Sequence, residues 1–180
     1  MQTYFLKTSK NQTKLHFASN NQKKCIFVMR NNTNRMENKF RCSCPCTSAL
    51  DIIGDKWTLV IIKDMILSNK QTFKDFHESD EGIATNILST RLKMLTEYKI
   101  IRKGKLPNNK QKNIYTLTEK GLDLTTTIVD LMLWSDRNLR EYHSTLIPEE
   151  QFEPAKKDKE GFINMLVENY KKKNWLHQEV

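Results

Sequence analysis

Three of the chain's four cysteines fall within five residues, Cys42, Cys44 and Cys46 in the run CSCPC. Thiolates at this density could hold zinc or another thiophilic metal, with His77 or a second subunit supplying the fourth ligand. Structural zinc sites use wider Cys spacing and paired ligands elsewhere. The four histidines, His16, His77, His143 and His177, are instead scattered and read as surface or packing residues. Nor are four cysteines in 180 residues the framework of a secreted, disulfide-stapled domain. Catalytic groupings are missing as well: five glycines include no phosphate-cradling loop, and neither a Ser-His-acid set nor a metal-hydrolase spacing occurs. The chain does not read as an enzyme, and no cofactor is implied.

A second set of side chains suits recognition rather than reaction. Leu88, Leu92 and Leu95 recur at the helical period and define one face, while Asn86, Ser89, Thr90 and Lys93 fall on the other. Small hydrogen-bonding side chains let a helix sit in the DNA major groove and address base edges. An isolated helix of this kind would read as a solvated face, but its sequel argues for more. Ile100 and Ile101 lead into Arg102, Lys103 and Lys105, then turn-forming Pro107, Asn108 and Asn109, then Lys110, Lys112 and the β-prone Ile114, Tyr115, Thr116 and Leu117. This pattern predicts two short strands around a cationic tip, suited to phosphates or the minor groove.

The elements that must position these residues follow from caps and periodicity. Thr47 or Ser48 can cap a short helix carrying Ala49, Leu50 and Ile53 and stopping at Gly54. After Asp55, residues 57–67 are apolar nearly all round, as expected of a buried central helix. Thr72 and Asp75 have capping-box spacing for a short third helix to about Ser79, with Phe73 and Phe76 inward. Asp80, Glu81 and Gly82 turn into the recognition helix, so helix, turn, helix and strand pair come in winged helix-turn-helix order. Thr118 should cap a long helix to about Tyr142, whose second half carries more apolar surface than a small domain needs and suits a subunit interface. Pro148 and Pro154 mark a linker. Beyond it, Phe162, Ile163, Leu166, Val167 and Tyr170 form an amphipathic stripe that could dock on its own domain or on a partner subunit.

Charge is unevenly spread. The net charge is +9, yet residues 1–35 hold seven Lys or Arg and no acid, leaving 23 bases against 21 acids in the rest. The local hairpin cluster therefore argues for a polyanionic partner better than the total does. Residues 1–35 read as a basic, disordered tail or an over-long gene start, residues 36–147 as the domain, and residues 148–180 as linker plus helix. Lys63 and Asp64 interrupt the best apolar run, so no membrane span is expected and the protein should be cytoplasmic.

The runs CPCTSALDIIGDKWTLVIIKDMI, FKDF, GIATNILSTRLKMLTEYKIIRK, IYTLTEKG and LWSDRNL, in that order, resemble the HxlR-type winged helix-turn-helix transcriptional regulators of bacteria across residues 44–139. The resemblance implies a mainly α fold with a small β-hairpin wing and a long C-terminal dimerisation helix. It implies a homodimer on a pseudo-palindromic operator in double-stranded DNA, held together through the first helix and the long one. By position, the recognition helix runs over residues 85–97, with Thr85 opening it, Asn86, Ser89, Thr90 and Lys93 facing bases and Arg91 facing phosphate. Lys103, Lys105, Lys110 and Lys112 serve the wing. The chain departs from the family pattern where Ala84 and Thr85 replace Ser-Pro, and in the single proline, Pro107, at the wing tip. Repression or activation depends on where the operator lies.

The family also places a cysteine before the first helix, matched by Cys44, which in several members senses oxidants or electrophiles. A thiol at a helix N-terminus near Arg41 and Lys39 can have a lowered pKa and react as thiolate. The alternative is a small residue buried under the dimer interface. Two other functions remain on this reading: a winged-helix module for protein–protein contact, and a metal-responsive regulator using the cysteine cluster.

Overall fold

The computed structural model describes residues 40–106 and 109–175, and the side chains of residues 106, 109 and 110 lie outside that description. Two units are distinguished, residues 1–51 and 52–180. The described part of the first is the cysteine-bearing approach and most of helix α1, Pro45–Ile53. This helix starts ahead of the expected caps at Thr47 and Ser48. Pro45 takes its first position, where a fixed φ is pre-organised and the missing N–H costs nothing; the Ser48 N–H already bonds the Cys44 carbonyl at 2.9 Å. No residue of α1 is fully buried. Arg41 and Asp51 pair in this unit through the Arg41 backbone N–H, 3.1 Å from Asp51 Oδ2, and through its Nε.

In the second unit, α2 (Lys56–Ser68) begins where Asp55 Oδ1 accepts from the N–H groups of Trp57 and Thr58, at 3.0 and 3.3 Å. It ends at Asn69, in the left-handed region at φ 52°. Ile61, Ile62 and Met65 are fully buried, as the all-round apolar pattern predicts. Within this helix the Asp64 carboxylate is buried too. Lys70 Nζ at 2.9 Å, Ser79 Oγ at 3.0 Å and Lys63 satisfy it. Burial alone would push Asp64 up, but the Lys70 and Lys63 contacts hold it below the ordinary carboxylate range. The cluster thus ties α2 to the turn after α3 with every charge paired.

Helix α3 (Phe73–His77) carries the expected capping box between Thr72 and Asp75, and buries Phe76. Gly82, at φ 68°, makes the turn into α4 (Thr85–Glu97), which buries Leu88, Leu92 and Leu95. Lys99, at φ 56°, and a bond from Ile100 N–H to the Leu95 carbonyl at 2.9 Å close this helix. The chain then enters β1 (Ile101–Leu106), antiparallel to β2 (Asn109–Leu117), with Ile101 opposite Leu117 and an irregularity between Lys105 and Leu106. On the other edge of β2, Thr72 bridges Ile114 and Tyr115 N–H reaches the Gln71 carbonyl at 2.7 Å.

The expected single long helix is two: α5 (Glu119–Leu122), capped by Thr118 as predicted, and α6 (Thr125–Asn138). Gly121 lies against the Ile100 carbonyl, where a Cβ would come within 2.3 Å of the oxygen. That contact pins α5 to the start of the wing, and a short-range bond from Leu124 N–H to the Gly121 carbonyl re-aims the chain. α6 stops at Asn138 rather than near Tyr142.

Pro148 and Pro154, from which a linker was expected, stand instead at the starts of helical turns, Glu149–Phe152 and α7 (Glu153–Lys157), positions that need no proline N–H. Phe152 and Ala155 are buried there, and Lys156 reaches the buried Asp136 of α6 at 2.8 Å. Helix α8 (Lys159–Asn174) resolves the open question of its apolar stripe: Tyr170 is buried, and Leu166 and Val167 pack on the same core as α2. Among the described residues no helix is long and apolar enough to cross a membrane.

Candidate nucleic-acid interface

Because Leu88, Leu92 and Leu95 anchor α4 in the core, its remaining face turns outward, and Thr85, Asn86, Ser89, Thr90 and Lys93 are all exposed. Asn86 Oδ1 accepts from the Ile87 N–H at 2.9 Å, and Thr90 Oγ1 donates to the Asn86 carbonyl at 2.8 Å. These local bonds leave the Asn86 amide nitrogen and the Thr90 hydroxyl lone pairs to meet a base edge.

Two clefts flank this helix. One, of about 640 Å³, runs between α3, the start of α4 and β2, and brings Thr85 together with Lys112, Lys74 and Asn113. The other, of about 420 Å³, joins Ser89, Lys93 and Thr96 of α4 to Lys103 and Tyr115 of the wing. Phe73 lines both. Lys74 and Asn113 escaped the sequence reading. Lys74 lies between Phe73 and Phe76, whose spacing marks the segment as core-facing, and Asn113 is brought to the cleft only by the strand register.

Lys103, Lys105 and Lys112 are exposed, and Lys105 Nζ donates to Asn113 Oδ1 across the strands at 2.9 Å. Lys110 lies on β2, with its side chain outside the described residues. Arg91, expected to face phosphate, is half-buried and turned inward. Its Nη2 is 3.0 Å from Asp55 Oδ2, so one carboxylate both caps α2 and holds α4.

Cys44 is exposed just before α1. Its thiol is drawn below the ordinary value by the Thr47 backbone N–H, then by the Thr47 hydroxyl and the Cys46 N–H. These donors belong to the helix terminus; of the neighbouring bases, Arg41 is engaged by Asp51, and Lys39 lies outside the described residues. Cys42 Sγ accepts from the Cys44 N–H at 3.4 Å. Among the described residues no three His, Cys, Asp or Glu side chains come together to hold a metal.

Helices α3 and α4 followed by a β-hairpin, with a polar helix face beside wing lysines, define a winged helix-turn-helix regulator of the kind that binds DNA. Residues 52–143 match the family described as HxlR-like helix-turn-helix. The chain belongs to that family of transcriptional regulators. The HTH-type transcriptional regulator YodB of Bacillus subtilis (strain 168) is 34% identical over 95 residues, covering 52% of this chain and 84% of that protein. The crystal structure of PA1607 aligns with TM-score 0.51 and 29% identity over 61% of this chain and 70% of that one. The reduced form of YodB aligns with TM-score 0.44 and 34% identity over 53% and 93% of the two chains.

Proposed function

We propose that the protein is a homodimer that binds a pseudo-palindromic operator through α4 and the wing of each subunit. Thr85, Asn86, Ser89, Thr90 and Lys93 read base edges; Lys103, Lys105, Lys110 and Lys112 hold phosphates or the minor groove. Arg91 is reassigned from phosphate contact to holding α4 on α2. The observation that carries this reading is the pairing of helix and wing side chains in shared clefts, Lys93 with Lys103 and Thr85 with Lys112. A surface for solvent alone has no reason to align two elements in this way. Leu131 and Trp134 on α6, 45% and 51% exposed, supply an apolar face for the second subunit.

The second part of the proposal is that Cys44 is the signal-receiving thiol. A thiolate favoured by the start of α1 adds to an electron-poor carbon or is oxidised by a peroxide, and the change alters how the two subunits present their recognition helices. The test is a fluorescence-anisotropy titration of the reduced full chain against DNA upstream of its own gene and a scrambled duplex, repeated after mild oxidation. Preference for the native duplex by about a thousandfold or more is expected, lost on oxidation in the wild type and retained in Cys44→Ser. Equal weak binding to both duplexes, and to DNA selected from a random pool, would favour the protein-contact module instead.

A further inference from the structure

Helix α8 lies beyond residues 52–143, the part of the chain that matches the family, yet it makes specific polar contacts with the wing. Tyr115 and Leu117 share parity on β2, so their backbone groups face the same edge, away from β1. Tyr115 uses this edge to bond Gln71. At Leu117 the neighbouring segment has run out, and side chains of the α8 end take over: the Leu117 N–H donates to Tyr170 Oη at 2.8 Å, and its carbonyl accepts from Trp175 Nε1 at 3.3 Å. Leu117 is fully buried and Tyr170 nearly so, which leaves water no role in the bond between them, while the Trp175 bond is partly buried. Trp175 also carries the Arg102 guanidinium of β1 over its ring, 5.6 Å from the centroid, so both strands are gripped. Asn174, buried beside them, donates to Asn69 Oδ1 at 2.8 Å and contacts Gln71, joining the same helix end to the turn between α2 and α3.

A two-stranded hairpin alone is marginally stable and free to pivot about its root. Here the root is bonded to a helix that is itself packed on α2. We propose that α8 is a brace that sets the pitch of the wing against α4, with Tyr170 and Trp175 as positioning residues for the contacts that Lys103, Lys105 and Lys112 make with DNA. The proposal rests on the DNA-binding reading, and a wing held at one angle places its lysines at a fixed distance from the face carrying Ser89 and Lys93. Tyr170 and Trp175 touch no nucleic acid in this scheme and act through Leu117 and Arg102.

The test uses the full chain and two readouts. In the first, anisotropy with a labelled duplex selected by the wild type from a random pool compares Tyr170→Phe in three backgrounds: wild type, Asn86→Ala, and a chain stripped of its wing lysines by Lys103→Ala, Lys105→Ala, Lys110→Ala and Lys112→Ala. Loss of about fivefold in affinity is expected in the first two and less than about twofold in the third, because a brace matters only where the wing has contacts to place. Equal losses in all three backgrounds, or no loss in any, overturn the proposal. In the second, hydrogen exchange of the free protein should quicken about tenfold in residues 101–117 and stay unchanged in α2. Exchange that is unaltered, or faster everywhere, overturns the brace. If the wild type selects no DNA, the DNA-binding reading fails and exchange alone decides the brace. Trp175→Phe, which keeps the ring and loses the N–H donor, repeats both measurements should Tyr170→Phe not fold.

Discussion

Helix α4 buries Leu88, Leu92 and Leu95 and turns Asn86, Ser89, Thr90 and Lys93 outward, whereas α6 buries Thr125, Ile128 and Val129 and turns Leu131 and Trp134 outward. Both lean on α2, and they have nearly the same length, 13 and 14 residues. They differ in what the outer face does in water. The α4 face is well solvated and gains only from a partner that offers hydrogen bonds at matched positions, which base edges do. The α6 face gains from any apolar surface that removes it from water, at roughly 25 cal/mol per Å². Two amphipathic helices on one platform therefore suit different partners, nucleic acid for one and protein for the other.

The largest effect is expected at the shared platform. Asp64→Ala leaves Lys63 and Lys70 without their common partner and should cost about 3 kcal/mol in denaturant unfolding, weakening α4 and α6 together. Because the folded-state pKa of Asp64 lies below its unfolded value, its contribution is full above about pH 4 and is lost as pH falls through the lower, folded value. The acid limb of the wild-type stability profile should accordingly be steeper than that of Asp64→Ala. Next comes the apolar face: if the proposed dimer forms through it, Trp134→Glu should leave only monomer in sedimentation equilibrium and lower operator affinity about a hundredfold by removing the second half-site. A dimer that survives would take the protein-facing role away from α6.

The polar face is sharpened by a pair of variants. Asn86→Ala should cost about 1–3 kcal/mol on the preferred duplex and little on a scrambled one, while Lys112→Ala should weaken both alike and reduce the salt slope by about 1. Matching losses from the two variants would mean that α4 does not read sequence. The smallest effect belongs to Arg91→Ala. Its ion pair with Asp55 is partly exposed, so less than about 1 kcal/mol of stability should be lost, with the salt slope unchanged; a slope lowered by about 1 would restore Arg91 to the phosphates.

Much of α4 was legible in the sequence because three leucines at helical spacing left only one way to bury it, and Thr72 with Asp75 announced α3 in the same local manner. The start of α1 was misplaced because hydroxyl residues at 47 and 48 looked like caps, while Pro45 already occupied a helical position. The break between α5 and α6 could not be read, since it follows from the contact of Gly121 with a carbonyl 21 residues away in sequence. Arg91 illustrates the same limit at the candidate site. Its place on the helix was correct, and only the tertiary position of Asp55 shows where the guanidinium goes. The stripe on α8 was equally plain, but its target was not, because an amphipathic face says how much it must bury and not against what.

The bonds at Leu117 have a consequence for solubility. A short β-hairpin on the outside of a protein presents an unpaired strand edge, the usual template on which another chain adds a strand and aggregation starts. Here Gln71 and Thr72 cover that edge at Tyr115 and Ile114, and Tyr170 and Trp175 cover it at Leu117. The root of the wing therefore offers an incoming strand no free backbone at these positions, and a chain shortened before Tyr170 should self-associate through the edge it uncovers.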